Sequence, residues 1–98
     1  VNARARIEVA ADGASVSGPM TMENAAALLA QGRAVLAQGA TTFDLAAVTE
    51  VDSSGLAVLF GWQRAAQAQG RSIAVRNPPH NLRSLAGVYD VAGLLALP

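Results

Sequence analysis

Two short runs, Thr41-Thr42-Phe43-Asp44-Leu45 and Val51-Asp52-Ser53-Ser54-Gly55-Leu56, stand close together near the middle of this chain. The first is β-rich and short, which suits a central buried strand ending at Asp44-Leu45, with Ala46 to Val51 as the connection that follows. The second opens a helix. Asp52 and Ser53 are both good N-cap residues ahead of an apolar-periodic stretch from Leu56 to Gln69, and Gly70 is a natural C-terminal stop.

Working outward, Arg71 to Val75 reads as another strand, and Asn77-Pro78-Pro79 as the start of a third helix with Leu82, Leu85 and Tyr89 on one stripe. A short helical turn over Val91 to Leu95 is expected beyond it. On the N-terminal side, Arg6 to Ala10 alternates polar and apolar residues. Ala11-Asp12-Gly13 supplies turn chemistry, Ala14 to Ser17 alternates again, and Gly18-Pro19 closes the hairpin. Thr21 then stands where an N-cap belongs and Glu23 falls in the first turn. Met22, Ala25, Leu28, Leu29, Val35 and Leu36 recur at helical spacing to about Ala37, and Gly39 ends the segment. Gly32 inside that helix costs about 1 kcal/mol relative to Ala, which implies a bend or a close neighbour. The order β-β-α-β-α-β-α predicts an α/β fold: an opening hairpin, then alternating elements with right-handed crossovers, in a mixed central sheet packed by helices.

Composition narrows the function. The 98 residues make one domain, spanning 1–98, and 52% hydrophobic content dominated by Ala, Leu and Val allows a close-packed core. Seven basic residues, all Arg, balance seven acidic ones. That removes the electrostatic footprint of a nucleic-acid or anionic-membrane binder. There is no cysteine, hence no disulfide, thiolate chemistry or thiolate-bound metal, in keeping with a cytoplasmic protein. No apolar run approaches the roughly 20 residues of a membrane span, and Val1 to Arg6 lack the apolar core of a signal peptide. No lysine and no phosphate-cradling Gly-rich loop are present, and no histidine neighbours the serines in sequence, so no enzymatic activity is expected. His80, the one histidine, cannot make a zinc site without Cys or a second His. No cofactor is expected.

The placement of Asp52-Ser53-Ser54-Gly55-Leu56 between a strand and a long helix resembles the STAS domain family, over nearly the whole chain. That family includes anti-sigma factor antagonists and the STAS subunit of Mla-type ABC systems for phospholipids. The resemblance implies a docking domain whose site holds Asp52, Ser53, Ser54, Gly55 and Leu56, with Asp44 supporting it from the end of the central strand. In anti-sigma factor antagonists the serine before this glycine receives phosphate from a partner kinase, which implies Ser54 as the phosphoacceptor. In Mla-type subunits the motif resembles Asp-Thr-Gly-Gly, whose hydroxyl residue matches Ser53 at the contact with the transporter's ATPase. The Leu85 to Val91 run and the leucine-rich tail, Leu94 to Pro98, also resemble the ending of Mla-type subunits. Two partners are therefore implied: an ABC transporter ATPase, holding the domain peripherally at the inner membrane, or an anti-sigma serine kinase.

Elementary physics bears on the same turn. Hydroxyls at a helix N-terminus lie beside unpaired N–H groups and the positive end of the helix dipole, where an added phosphate is stabilised. Equally, Asp52, Ser53 and Ser54 can simply cap the helix, at about 1 kcal/mol each. At 100° per residue, Val58, Leu59, Trp62 and Ala66 gather on one side, and Leu56 and Phe60 on the other. If the first side packs on the sheet, Leu56 and Phe60 are left as an apolar patch beside the serines, the anatomy of a partner site.

Overall fold

The computed structural model describes residues 4–10 and 13–89. Strand β1 (Arg6–Ala10) pairs antiparallel with β2 (Gly13–Met20), and β2 leads into helix α1 (Met22–Ala37). Strand β3 (Thr42–Val51), helix α2 (Ser53–Gln67), the short strand β4 (Ala74–Arg76) and helix α3 (His80–Val88) follow. The sheet order is β1-β2-β3-β4, with β2, β3 and β4 mutually parallel. The α/β fold with its opening hairpin, mixed four-stranded sheet and three helices is the one the sequence predicts.

Both crossovers step the same way across the sheet, which brings α1 and α2 side by side. Beneath them the strands turn one row of side chains inward. Ala14, Val16 and Met20 of β2, Phe43, Leu45, Val48 and Val51 of β3, and Val75 of β4 are buried. Burying a side chain of this class is worth about 1.5–3 kcal/mol, so this row and the helix residues above it dominate the stability of the layer pair.

The helices meet through two reciprocal gaps. A Cβ on Gly32 of α1 would lie 2.0 Å from Trp62 Nε1, and a Cβ on Gly61 of α2 would lie 2.5 Å from Leu29 Cδ1. Each glycine therefore makes room for a large side chain of the other helix, and the close neighbour expected at Gly32 is Trp62. The indole N–H donates to the Leu28 carbonyl at 3.1 Å, and the ring stacks on Phe43 with centroids 4.4 Å apart.

Several boundaries differ from expectation for physical reasons. Strand β3 continues through Ala46 to Val51, because its register slips against β2 twice. Between Ser15/Asp44 and Ser17/Ala47, and again between Gly18/Val48 and Pro19/Glu50, β3 spends one more residue than β2. Each bulge resets which side chains face inward, so buried Leu45, Val48 and Val51 fall three apart and the two-residue alternation disappears. Strand β2 likewise runs through Gly18-Pro19 to Met20. Its pairing with β1 stops at Ser17, so Pro19 removes no N–H that β1 would have used. Strand β4 is shorter and later than expected, and Pro79 is the N-cap of α3 rather than part of its first turn. Met22 and Tyr89, expected on apolar stripes, are 75% and 54% exposed. The turn residues Ala11 and Asp12, the helical turn over Val91 to Leu95 and the leucine-rich tail lie outside the described residues.

At the sheet margin, the Ile7 N–H is taken up by Gln31 Oε1 of α1 at 3.1 Å. Arg6 and Glu8 flank it as an exposed ion pair, 3.4 Å apart.

Candidate functional site

Strands β2 and β3 finish level with each other, Met20 beside Val51, and each hands the chain directly to a helix. Asp52, the residue between Val51 and α2, joins the two helix starts. Its backbone N–H donates to the Met20 carbonyl at 3.3 Å. Its Oδ1 accepts from the Ser54 N–H at 2.8 Å and the Gly55 N–H at 3.3 Å, and its Oδ2 accepts from the Met22 N–H at 3.1 Å. One carboxylate thus caps α2 and also serves α1, where two helix dipoles present their positive ends. Thr21, expected to cap α1, occupies the N-cap position but its side chain makes no capping bond.

This arrangement alters what the first turn of α2 can offer an anion. The N–H groups of Ser54 and Gly55 already face the Asp52 carboxylate, and the Leu56 N–H donates to the Asp52 carbonyl at 3.3 Å. Of the two readings the sequence left open at this turn, the cap is in place: Asp52 itself supplies the negative charge that the helix end calls for.

Gly55 is required by packing. A Cβ there would lie 2.3 Å from the Met20 carbonyl oxygen and 2.8 Å from Val51 Cγ1, so the start of α2 rests directly on the two strand ends. Helix α3 reaches the same place, since Asn81 Nδ2 donates to the Val51 carbonyl at 3.1 Å. Ser53 is left exposed and Ser54 half-buried.

The two sides of α2 are divided as the helical spacing predicts for Val58, Leu59, Trp62 and Ala66, all buried. Leu56 differs. It is 5% exposed and belongs to the core, so the expected Leu56/Phe60 patch is reduced to a half-buried Phe60 at its surface. An apolar groove of about 350 Å³ remains at that point, lined by Ser53, Leu56, Ala57, Phe60 and Tyr89. Ala57 and Tyr89 were not singled out as site residues from the sequence. The signal for Ala57 was available, because Ser53, Ala57, Phe60 and Arg64 follow each other at spacings of four, three and four along one helix face.

Asp44 does not join this cluster. It is the third residue of a ten-residue strand, and at about 3.3 Å per residue it lies roughly 20 Å or more from the Asp52 turn. The longer course of β3 accounts for the misplacement. Asp44 Oδ1 instead accepts from Asn77 Nδ2 at 3.0 Å and from the Ala46 N–H at 2.9 Å, closing the β3–β4 ladder where β4 ends. These two hydrogen bonds, first Asn77 and then Ala46, hold its carboxyl below the usual carboxylate range against a small opposing effect of burial, with Arg76 adding its charge. His80 is exposed at the start of α3, and no group of three potential metal ligands occurs among the described residues. No helix among them is long and apolar enough to cross a membrane.

Comparison with known proteins agrees with this geometry. No curated protein matches the chain. Among solved structures, the anti-sigma factor antagonist SpoIIAA in its unphosphorylated form superposes with a TM-score of 0.62 at 21% identity, over 83% of this chain and 79% of that one. A structure described as Mglu superposes with a TM-score of 0.55 at 25% identity, over 76% of this chain but only 20% of that much longer one. The likeness to SpoIIAA is one of fold. A family model described as "Mlab, STAS domain" matches residues 3–96. With an opening hairpin, a parallel core and a capped Asp-Ser-Ser-Gly helix start in place, the chain belongs to the STAS domain family, of the Mlab type.

Proposed function

We propose that this domain is a non-catalytic subunit that binds and supports the ATPase of an inner-membrane ABC transporter for phospholipids. It would act peripherally, from the cytoplasmic side, through the face built on Asp52, Ser53, Ser54, Gly55, Leu56 and Phe60. The observation that carries this reading is the apolar groove beside Ser53, at the N-terminal end of α2, in a chain of the Mlab-type family. Within that face the residues divide their work. Asp52 and Gly55 fix the helix start, Leu56 supports it from the core, and Ser53 and Phe60 present the contact surface. Half-buried aromatic edges rimmed by polar groups are the usual anchors of protein interfaces.

A second reading, an anti-sigma factor antagonist switched by phosphorylation of Ser54, is supported by the hydroxyl before Gly55. It is the weaker of the two, because Asp52 already occupies the amides that would receive the phosphate. The test is recovery of the tagged protein from its native cells in mild detergent, followed by mass spectrometry. An ABC ATPase with its permease is the expected companion. A soluble serine kinase in their place would overturn the transporter reading.

A further inference from the structure

The apolar groove beside Ser53 has one wall made by Tyr89, the last of the described residues. From that wall the chain continues as Asp90-Val91-Ala92-Gly93-Leu94-Leu95-Ala96-Leu97-Pro98. After Asp90 no residue of this segment carries a polar side chain, so it has apolar surface to bury and no side-chain hydrogen bond to lose by burying it. The groove offers the same kind of surface in Leu56, Ala57 and Phe60, and no charged side chain is among the described residues that line it. Two apolar surfaces thus begin at one residue.

Reach is no obstacle to their meeting. Leu94 stands five residues beyond Tyr89, and five residues extend to at most about 18 Å, while the groove begins at Tyr89 itself. A segment tethered this closely meets the groove at an effective concentration on the order of millimolar, which a separate molecule has to outcompete. The family match runs through residue 96, so nearly all of the segment is part of the domain rather than an appendage to it. We propose that Leu94, Leu95 and Leu97 pack into the groove against Ala57 and Phe60, and that the ATPase displaces them when it docks. The tail is then a built-in competitor for the docking face. Displacement rests on the docking reading above; the packing of the tail does not.

The chain has no cysteine, so a pair of introduced cysteines can react only with each other. Ala57→Cys is combined in turn with Leu94→Cys, Leu95→Cys and Leu97→Cys, each variant keeping two of the three leucines. Ser84→Cys, on the exposed face of α3 five residues before Tyr89, is the control with the same three partners. A disulfide needs Cα atoms within about 7 Å, so under mild oxidation at least one Ala57 pair is expected to close about tenfold faster than its Ser84 counterpart. Equal rates for all pairs, or faster closure at Ser84, would overturn the packing of the tail and leave the docking reading untouched. Calorimetric titration of the purified ATPase then compares wild-type protein with the variant carrying Leu94→Ser, Leu95→Ser and Leu97→Ser, first shown to unfold cooperatively. Binding about tenfold tighter in the variant is expected, as when a competitor that leaves about one molecule in ten open is removed. Equal or weaker binding would overturn displacement. No binding by the wild-type protein, with fast Ala57 closure, would overturn the docking reading and displacement with it, and leave the tail packing standing.

Discussion

The carboxylate of Asp52 and the backbone N–H of Met22 are 30 residues apart in sequence and 3.1 Å apart in space. Through this bond the residue that starts α2 also holds the first turn of α1. Asp52→Ala should therefore remove capping from two helices, and a loss of about 2 kcal/mol is expected from about 1 kcal/mol per cap. Thr21→Ala, at the formal N-cap of α1, should change stability by less than about 0.5 kcal/mol because its side chain caps nothing. Urea denaturation of the two variants checks the contrast; equal losses would contradict the shared cap.

Gly32→Ala reverses the ordinary helix rule. Propensity alone favours Ala by about 1 kcal/mol, but the added methyl would stand 2.0 Å from the Trp62 indole nitrogen. A net loss of about 1–3 kcal/mol is expected, the range for an overpacked core. Combining it with Trp62→Ala, which removes the pyrrole-ring atoms that the methyl would meet, should cost less than the sum of the two single changes. Additive losses would show that the contact does not limit this interface.

Phe60 and Leu56, four residues apart on α2, should respond differently to charge. Leu56→Asp buries a carboxylate in the core and should abolish the cooperative unfolding transition. Phe60→Asp, at the half-buried edge of the groove, should keep that transition and lose co-purification with the ATPase. Retained co-purification would remove the groove from the interface.

Asp44 provides a pH signature. Its carboxyl titrates below the ordinary carboxylate range when folded, so its hydrogen bonds to Asn77 and Ala46 contribute fully above the unfolded value, about 4. That contribution is lost as pH falls through the lower folded value. The difference in urea midpoint between wild type and Asp44→Ala should be constant near neutral pH and shrink on acidification below about pH 4. A constant difference across that window would mean that the carboxylate charge is irrelevant there. Asp44 is half-buried at the sheet's end and screened by nearby solvent, so the effect is small.

Ser54 separates the two functional readings by mass. Under the transporter reading, exposure to ATP and the soluble serine kinases of the same cells leaves the protein's mass unchanged. A gain of about 80 Da, the mass of one phosphoryl group, that disappears in Ser54→Ala would favour the switch.

The elements legible in the sequence were those with intact periodicity. The hairpin's alternation and the helical spacing of Val58, Leu59, Trp62 and Ala66 passed directly into the fold. Strand β3 was cut short because its two bulges break the alternation, and a sequence carries no mark of which residue a bulge will skip. That error also displaced Asp44, since a strand ending at Leu45 would have put it at the sheet's carboxyl end. At the site, the Asp52 cap was visible as a residue type before a helix. Its second bond, to Met22, depends on β2 and β3 ending level with each other, a long-range relation that local spacing does not contain. Leu56 was assigned to the surface by its position on the helix, whereas it belongs to the core.

The bond from Ile7 to Gln31 has a bearing on how the molecule behaves in a crowded solution. A margin strand with unused amides is a template on which another chain can crystallise its own backbone, and β1 is such a margin. Here a helix side chain occupies the amide of Ile7, the second residue of the strand, and Arg6 and Glu8 stand guard on either side. A chain with no net charge has little long-range repulsion to keep its copies apart. At the β1 margin, protection against fibrous growth is therefore stereochemical and local, and it rests on one glutamine.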